Sequence, residues 1–438
     1  MKAHLQDQSY NEKEFKAQIV AFLKTRPQGV TLSEVVLATG LATEWVDFTL
    51  RQLLNDFPAH LEINENKELI YQFDFTPKQT SITQTLTESL VKILDFVWLL
   101  FTFGFKVWIV AMLFTYMLFN TVVLLVAIIA ITRSGELLEG AYKLFGDGIV
   151  EAFRMLFKKN QDKKQGLIQQ VFSYVFGQSK ANEDKLKWEK LILRHIEQNK
   201  GELLVSDIVQ LTGWSVRESQ EQAAKLLANY QGDAEVSNEG VIIYKFPDLI
   251  TKTGTSKSEP PKIWQNLIPN VLMNDNEKKV NRSIITVNSF NIVMAFLSTF
   301  LIQGYIFEDE AMPNWIWIFS MYIPLIYSII FFLIPLGRMP WVAWENTKID
   351  KRNQHYKVLG EIFQKLPQSI DLEQDSKKIA EKIGQKNVSE IKKIVQTQSL
   401  ALEAEPKTNE KGNVIYDFEQ INIELNYGQK SLQNDSDE

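Results

Sequence analysis

The chain has 438 residues, enough for two to four domains, with 45% hydrophobic and 23% charged residues. It contains no cysteine, which excludes disulfides, thiolate metal sites and iron–sulfur clusters held by this chain alone. A net charge of −6 gives no reason to expect nucleic acid as a partner of the whole chain.

The first thirty residues mix charge and polarity around no apolar core, so no secretory signal is expected there. From about 11 to 76 the pattern is three helices and a hairpin. A short helix SEVVLAT, for which Ser33 is an expected N-cap, ends at Gly40. A third helix follows, with Trp45, Phe48, Leu53 and Leu54 as its expected apolar side, and LEINENKELIYQF alternates around a turn.

Residues 90–131 form the first membrane segment. Val107–Ile131 is 25 residues without a charge, and a helix of that length spans the roughly 30 Å hydrocarbon core. The stretch before it carries Lys92, Asp95 and Lys106, and admits either a lead-in to one span or the first arm of a short hairpin. Lys106 would have to snorkel. Next, residues 142–180 place Tyr142, Phe145, Ile149, Phe153, Leu156 and Phe157 at helical spacing, followed by Lys158, Lys159, Lys163 and Lys164. The lysines are candidates for contact with an anionic membrane surface; a helix packed on a neighbouring module is the other reading.

Residues 184–248 repeat the first module without a gap at an offset of 173. Ser33 matches Ser206, Gly40 matches Gly213, and Glu62, Tyr71 and Phe73 match Glu235, Tyr244 and Phe246. After a linker at 251–261, residues 283–337 hold two uncharged runs separated by Glu308, Asp309 and Glu310, which read as a transmembrane hairpin. Lys278, Lys279, Arg282 and Arg338 at its outer ends put those ends in the cytoplasm, Trp315 and Trp317 suit an interface near the loop, and Pro324 and Pro335 are expected to kink the second span. A third, more polar copy occupies 355–418, and a disordered tail is expected at 428–438.

Helix–helix–helix–hairpin is the layout of a winged helix. The expected fold class is therefore a mainly α membrane protein with α+β soluble modules, repeated winged-helix domains separated by transmembrane hairpins. Homologous modules share a compartment, so the repeat favours two passes within 90–131 over one. On the third helices the candidate partner-binding residues are Glu44, Asp47 and Arg51, then Arg217 and Glu218, then Lys392 and Lys393. Residues 11–75 hold six Lys/Arg against ten Asp/Glu, a net of −4, whereas a DNA reader needs a basic face. Protein partners are the better expectation and nucleic acid is not expected.

No catalytic, cofactor or metal site is nominated. The four histidines are isolated in sequence, no phosphate-binding glycine loop occurs, and the uninterrupted spans hold no charge. Asn288, Asn291 and Gln303 are the polar residues a membrane enzyme would have to use, and helix packing explains them equally.

The stretch QVFSYVFGQSKANEDKLKWEKLILRHIEQNKGELLVSDI, Gln170–Ile208, resembles a group of cyanobacterial and plastid membrane proteins, clearest in VFSYVFG and the segment around Trp188. The resemblance extends loosely to the modules and spans, and implies a multi-pass membrane location with modules on the cytoplasmic or stromal side. The family carries a link to iron–sulfur cluster biosynthesis, which the absence of cysteine does not support as direct cluster binding. The expected function is a membrane-anchored scaffold or assembly factor, with a membrane-bound DNA-binding transcription regulator and a membrane enzyme as alternatives.

Overall fold

The computed structural model describes residues 12–63, 68–75, 103–123, 125, 166–178, 184–250, 260–307, 310–410 and 412–434. Helix predominates over three small sheets. The elements run α1 (Glu12–Lys24), β1 (Val30–Thr31), α2 (Leu32–Thr39), α3 (Thr43–Asp56), β2 (Ala59–Ile63) and β3 (Leu69–Phe73). Then come α4 (Phe103–Val123), α5 (Leu167–Phe176), α6 (Lys187–Gln198), β4 (Glu202–Leu203), α7 (Val205–Thr212), α8 (Val216–Tyr230), β5 (Asp233–Val236) and β6 (Ile242–Lys245). The remainder is α9 (Lys278–Ile302), α10 (Asn314–Lys365), β7 (Ile370–Asp371), α11 (Gln374–Lys382), α12 (Val388–Ala401), β8 (Glu405–Thr408), β9 (Val414–Asp417) and α13 (Glu419–Asn434).

Two compact units divide the chain. One holds residues 1–80, 182–269 and 349–438 and contains all three sheets. Each sheet places its last strand in the centre, in the orders β1-β3-β2, β4-β6-β5 and β7-β9-β8. The register repeats as well. A buried aliphatic residue of the short first strand faces a tyrosine each time, Val30 with Tyr71, Leu203 with Tyr244 and Ile370 with Tyr416. These residues belong to one continuous apolar core shared by the three modules.

The contacts between modules repeat too. Gly40 ends α2 at φ 72° and packs on Leu186, just before α6, and on Lys190 of α6; Gly213 ends α7 at φ 76° and packs on Tyr356 of α10. Positive φ and the absent Cβ both matter here, since the next module's first helix lies against the turn. Ser33 and Ser206 are not the N-caps the sequence suggests. The cap of α2 is Thr31, whose hydroxyl accepts from Glu34 N, and the free N–H of Leu204 donates to Asp207. Ser33 Oγ instead donates to the Asp248 carbonyl at 2.6 Å, and Ser206 N donates to Glu424 Oε2 at 2.8 Å. Both partners lie just beyond the hairpin of the following module.

The second unit comprises residues 81–181 and 270–348. Among the described residues three helices are long and apolar enough to cross a membrane: α4 with 21 residues, α9 with 25 and α10 with 52. The last begins at the expected second arm of the hairpin and runs without a break into the first helix of module 3. Pro324, Pro335 and Pro340 lie inside it. Pro324 cannot donate to Ser320, and a π turn at Ile318–Tyr322 precedes it, which accommodates the missing bond.

Polarity in this bundle is inverted. Asn120, Asn288, Asn291, Ser298, Thr299, Ser320 and Ser328 are buried, while Leu118, Phe119, Val293, Phe300, Ile330 and Leu333 are exposed. Asn291 Nδ2 donates to the Leu113 carbonyl at 2.9 Å and Ser298 Oγ donates to Asn120 Oδ1 at 3.1 Å, so α4 and α9 run parallel in register. Asn288 Nδ2 donates to the Ser328 carbonyl at 3.1 Å and Thr299 Oγ1 to Ser320 Oγ at 2.8 Å, so α9 and α10 form an antiparallel hairpin. Lys106 lies over the Phe172 ring of α5, 4.5 Å from its centroid, which gives the cation a partner instead of a free snorkelling path. A second pass in 90–131 concerns residues outside those described, apart from α4 and Leu125.

Candidate partner-binding surface

The phase of α3 decides what module 1 presents. Val46, Leu50 and Leu53 are fully buried and Thr49 nearly so, at i, i+3, i+4 and i+7. That corrects the expected apolar side. Leu53 belongs to it, Trp45 and Leu54 are half-buried, and Phe48 is 50% exposed. Trp45 links inside to outside, edge-on to Phe15 at 6.3 Å and to Phe48 at 6.2 Å. Ring-edge contacts of this kind hold an exposed aromatic in place.

Beside Phe48 stand Glu44, exposed near the start of α3, and the Asp47–Arg51 pair at 2.8 Å. The hydrogen bond to Asp47 and its charge raise the guanidinium of Arg51 above its ordinary value. Burial pushes the Tyr71 phenol up, with Asp47 adding to the shift and Arg51 opposing it, which places that tyrosine beside the pair. Arg51 is thus matched within the module and offers no uncompensated charge to a phosphate.

The hairpin extends the apolar surface. Pairing of Leu61 with Tyr71 and Ile63 with Leu69 sets these residues on one face of the β2–β3 ribbon. Tyr71 is buried and stacks on Phe73 at 6.3 Å, whereas Leu61, Ile63 and Leu69 are exposed, Ile63 to 72%. The opposite face carries His60 and Glu62, 3.1 Å apart. In module 2 the equivalent pair, Val236 with Ile242, is exposed as well.

Other candidates divide by role. Arg217 is engaged by Glu221 at 3.4 Å. Glu218 is a capping residue: Ser215 N and Oγ both donate to it at 2.9 Å, and these bonds hold its carboxyl below the usual range. It is a structural part of α8 and stays exposed. Lys392 is ion-paired with Glu373, and Lys393 is exposed. Lys158, Lys159, Lys163 and Lys164 lie outside the described residues. No group of three or more His, Asp or Glu among the described residues is placed to hold a metal.

Sequence reasoning did not identify the exposed hairpin residues. The signal was present, since Ile63 and Leu69 recur as Val236 and Ile242 at the same offset. A residue of a two-sided ribbon that is apolar in both copies, beyond the last helix it could pack on, has no core to serve. Comparison with family models, curated proteins and solved structures finds no match for this chain.

Proposed function

We propose that the chain is a membrane-anchored scaffold or assembly factor that holds protein partners through winged-helix modules on the cytoplasmic side. The observation that carries this reading is Phe48, half-exposed on α3 beside a self-neutralised Asp47–Arg51 pair. In a winged helix the outer face of the third helix and the hairpin form the contact surface. On module 1 that surface carries an aromatic anchor, apolar hairpin residues and Glu44, which suits a protein and repels a phosphate backbone.

Support for the modules comes from the repeated strand order and tyrosine register. Support for a membrane location comes from three long apolar helices whose polar residues face inward and whose large apolar residues face out. Lys278, Lys279 and Arg282 at the start of α9 favour a cytoplasmic start for that helix. The resemblance to cyanobacterial and plastid membrane proteins belongs to the same proposal, with the stroma in place of the cytoplasm in a plastid.

The test is affinity purification from solubilised membranes of the native host, with co-purifying proteins identified by mass spectrometry and nucleic acid measured in the same sample. A stoichiometric protein partner retained by the wild type and by a Lys392→Glu, Lys393→Glu variant, but lost from Phe48→Asp, supports the scaffold. Nuclease-sensitive DNA lost with the lysines, and no protein partner, would replace it with the membrane-bound transcription regulator.

A further inference from the structure

One face of α9 is divided into a charged head and an apolar run. Lys278, Arg282, Ile285, Ser289, Val293 and Phe296 recur at steps of three and four residues, so they stand in one line along the helix. All six are exposed, Val293 to 58%, whereas Asn288, Asn291, Ser298 and Thr299 on the other side are buried against α4 and α10. At 1.5 Å per residue, Arg282 and Val293 stand about 16 Å apart along the axis, roughly the depth of one leaflet of hydrocarbon.

The head of this line is held in place by its neighbours. Asn346 of α10 accepts from Val271 N at 2.7 Å and donates to the Val271 carbonyl at 3.0 Å. Asn276 Nδ2 donates to the Gln170 carbonyl of α5 at 2.7 Å and to Asn281 Oδ1 of α9 at 3.1 Å. The segment leading into α9 is thereby fixed to two other helices. Its carboxylates are engaged: Asp275 Oδ1 accepts from Gln178 Nε2 at 2.6 Å, and Glu277 is partnered as well. Lys278 and Arg282 make no ion pair or hydrogen bond among the described residues. Cations four apart on a helix are about 5–6 Å apart at Cβ, close enough to share one phosphate, and a guanidinium meets phosphate oxygens with paired donors. Because α9 and α10 are antiparallel, Trp341 and Trp344 come alongside this end. Trp344 is 56% exposed with Lys348 3.1 Å from its ring centroid, as suits a tryptophan at headgroup level.

We propose that this face of α9 binds one phospholipid with a net negative headgroup. The phosphate lies between Lys278 and Arg282, and an acyl chain follows Ile285, Val293 and Phe296. The site presupposes the membrane location proposed above. A phosphocholine headgroup would bring its own cation to two others, and a free phosphate would leave the apolar run uncovered. Lys279 is about 100° around the helix from Lys278, off the line, and is exposed too.

Native mass spectrometry of the full chain, freed of host lipid in a neutral detergent, tests this with dioleoyl phosphatidylglycerol and dioleoyl phosphatidylcholine as probes. One phosphatidylglycerol per chain should be retained, at least about tenfold more tightly than phosphatidylcholine. The Lys278→Gln, Arg282→Gln double variant should weaken it about tenfold, and Lys279→Gln should not. The wild-type comparison needs no variant, so the test survives a double variant that fails to fold. Equal retention of the two lipids, unchanged retention by the folded double variant, or displacement of the lipid by an equal concentration of inorganic phosphate each overturns the assignment. Carbonate extraction of host membranes separates the two levels: a chain that stays in the membrane yet shows no lipid preference removes this site alone, and a chain that is released removes the membrane location with it.

Discussion

The hydroxyl of Tyr230, at the end of α8, donates to the carbonyl of Gly40 at 2.8 Å, joining residues 190 positions apart. Tyr230 is 1% exposed, so the bond closes the junction between modules 1 and 2 away from water. Tyr230→Phe keeps the ring packing and removes the donor, and should lower unfolding stability by about 1 kcal/mol. The check is a urea denaturation midpoint against wild type, with an unchanged slope.

The two turn glycines that face a following module should respond differently from the one that does not. A Cβ at Gly213 would lie 2.5 Å from the Tyr356 ring, whereas one at Gly384, φ 72°, meets nothing within 4 Å. Gly384→Ala should cost only the left-handed backbone penalty, about 1–2 kcal/mol. Gly213→Ala adds displacement of the Tyr356 ring and should cost roughly 2–4 kcal/mol in all. Gln385 and Lys386, after Gly384, are exposed, whereas Leu41 and Trp214, after Gly40 and Gly213, are buried and half-buried. Thermal melts of the two variants side by side measure the difference.

His355, on the α10 stretch that forms module 3's first helix, gives a pH dependence. Burial lowers its pKa from the ordinary 6.5, and Glu390 only partly opposes this. The native state therefore binds fewer protons than the unfolded chain just below pH 6.5. The neutral ring's contribution is fully present above that pH and is lost as the pH falls through the lower folded value. His355→Gln should flatten this part of the stability profile between pH 7 and 5, read from melting temperatures across that range.

Within the helical bundle, Asn291 donates to the Leu113 carbonyl while its own Oδ1 finds no partner among the described residues. Replacement by leucine removes both the bond and the unmet acceptor. Interhelical bonds of this kind average about 0.6 kcal/mol, so Asn291→Leu should be nearly neutral. Asn291→Asp puts a charge in the same place and should lose several kcal/mol or fail to assemble. Unfolding in detergent micelles separates the two outcomes.

The helical character and the small sheets were legible: the last strand of each sheet falls in a similar short pattern, Leu-Ile-Tyr-Gln-Phe, Ile-Ile-Tyr-Lys-Phe and Val-Ile-Tyr-Asp-Phe. The positive φ of Gly40 and Gly213 followed from their place after a short apolar helix. What failed were inferences in which one residue type serves two ends. Ser33 and Ser206 occupy near-terminal helix positions where a cap is usual, yet they bond across module junctions. Phe48 looked like core because it is aromatic, but Val46 and Leu50 hold the phase that buries. The α13 strap over module 2 could not be read from spacing, since Glu424 and Ser206 are 218 positions apart.

The matched register of α4 and α9 sets a common direction for the two helices. Helices that neighbour each other in the same direction cannot be consecutive strokes of a zigzag. Leu113 lies opposite Asn291 and Asn120 opposite Ser298, so Val123 and Ile302 finish at the same end. Phe103 and Lys278 therefore mark one shared end of the bundle, the end at which Phe176 of α5 meets Phe105 of α4.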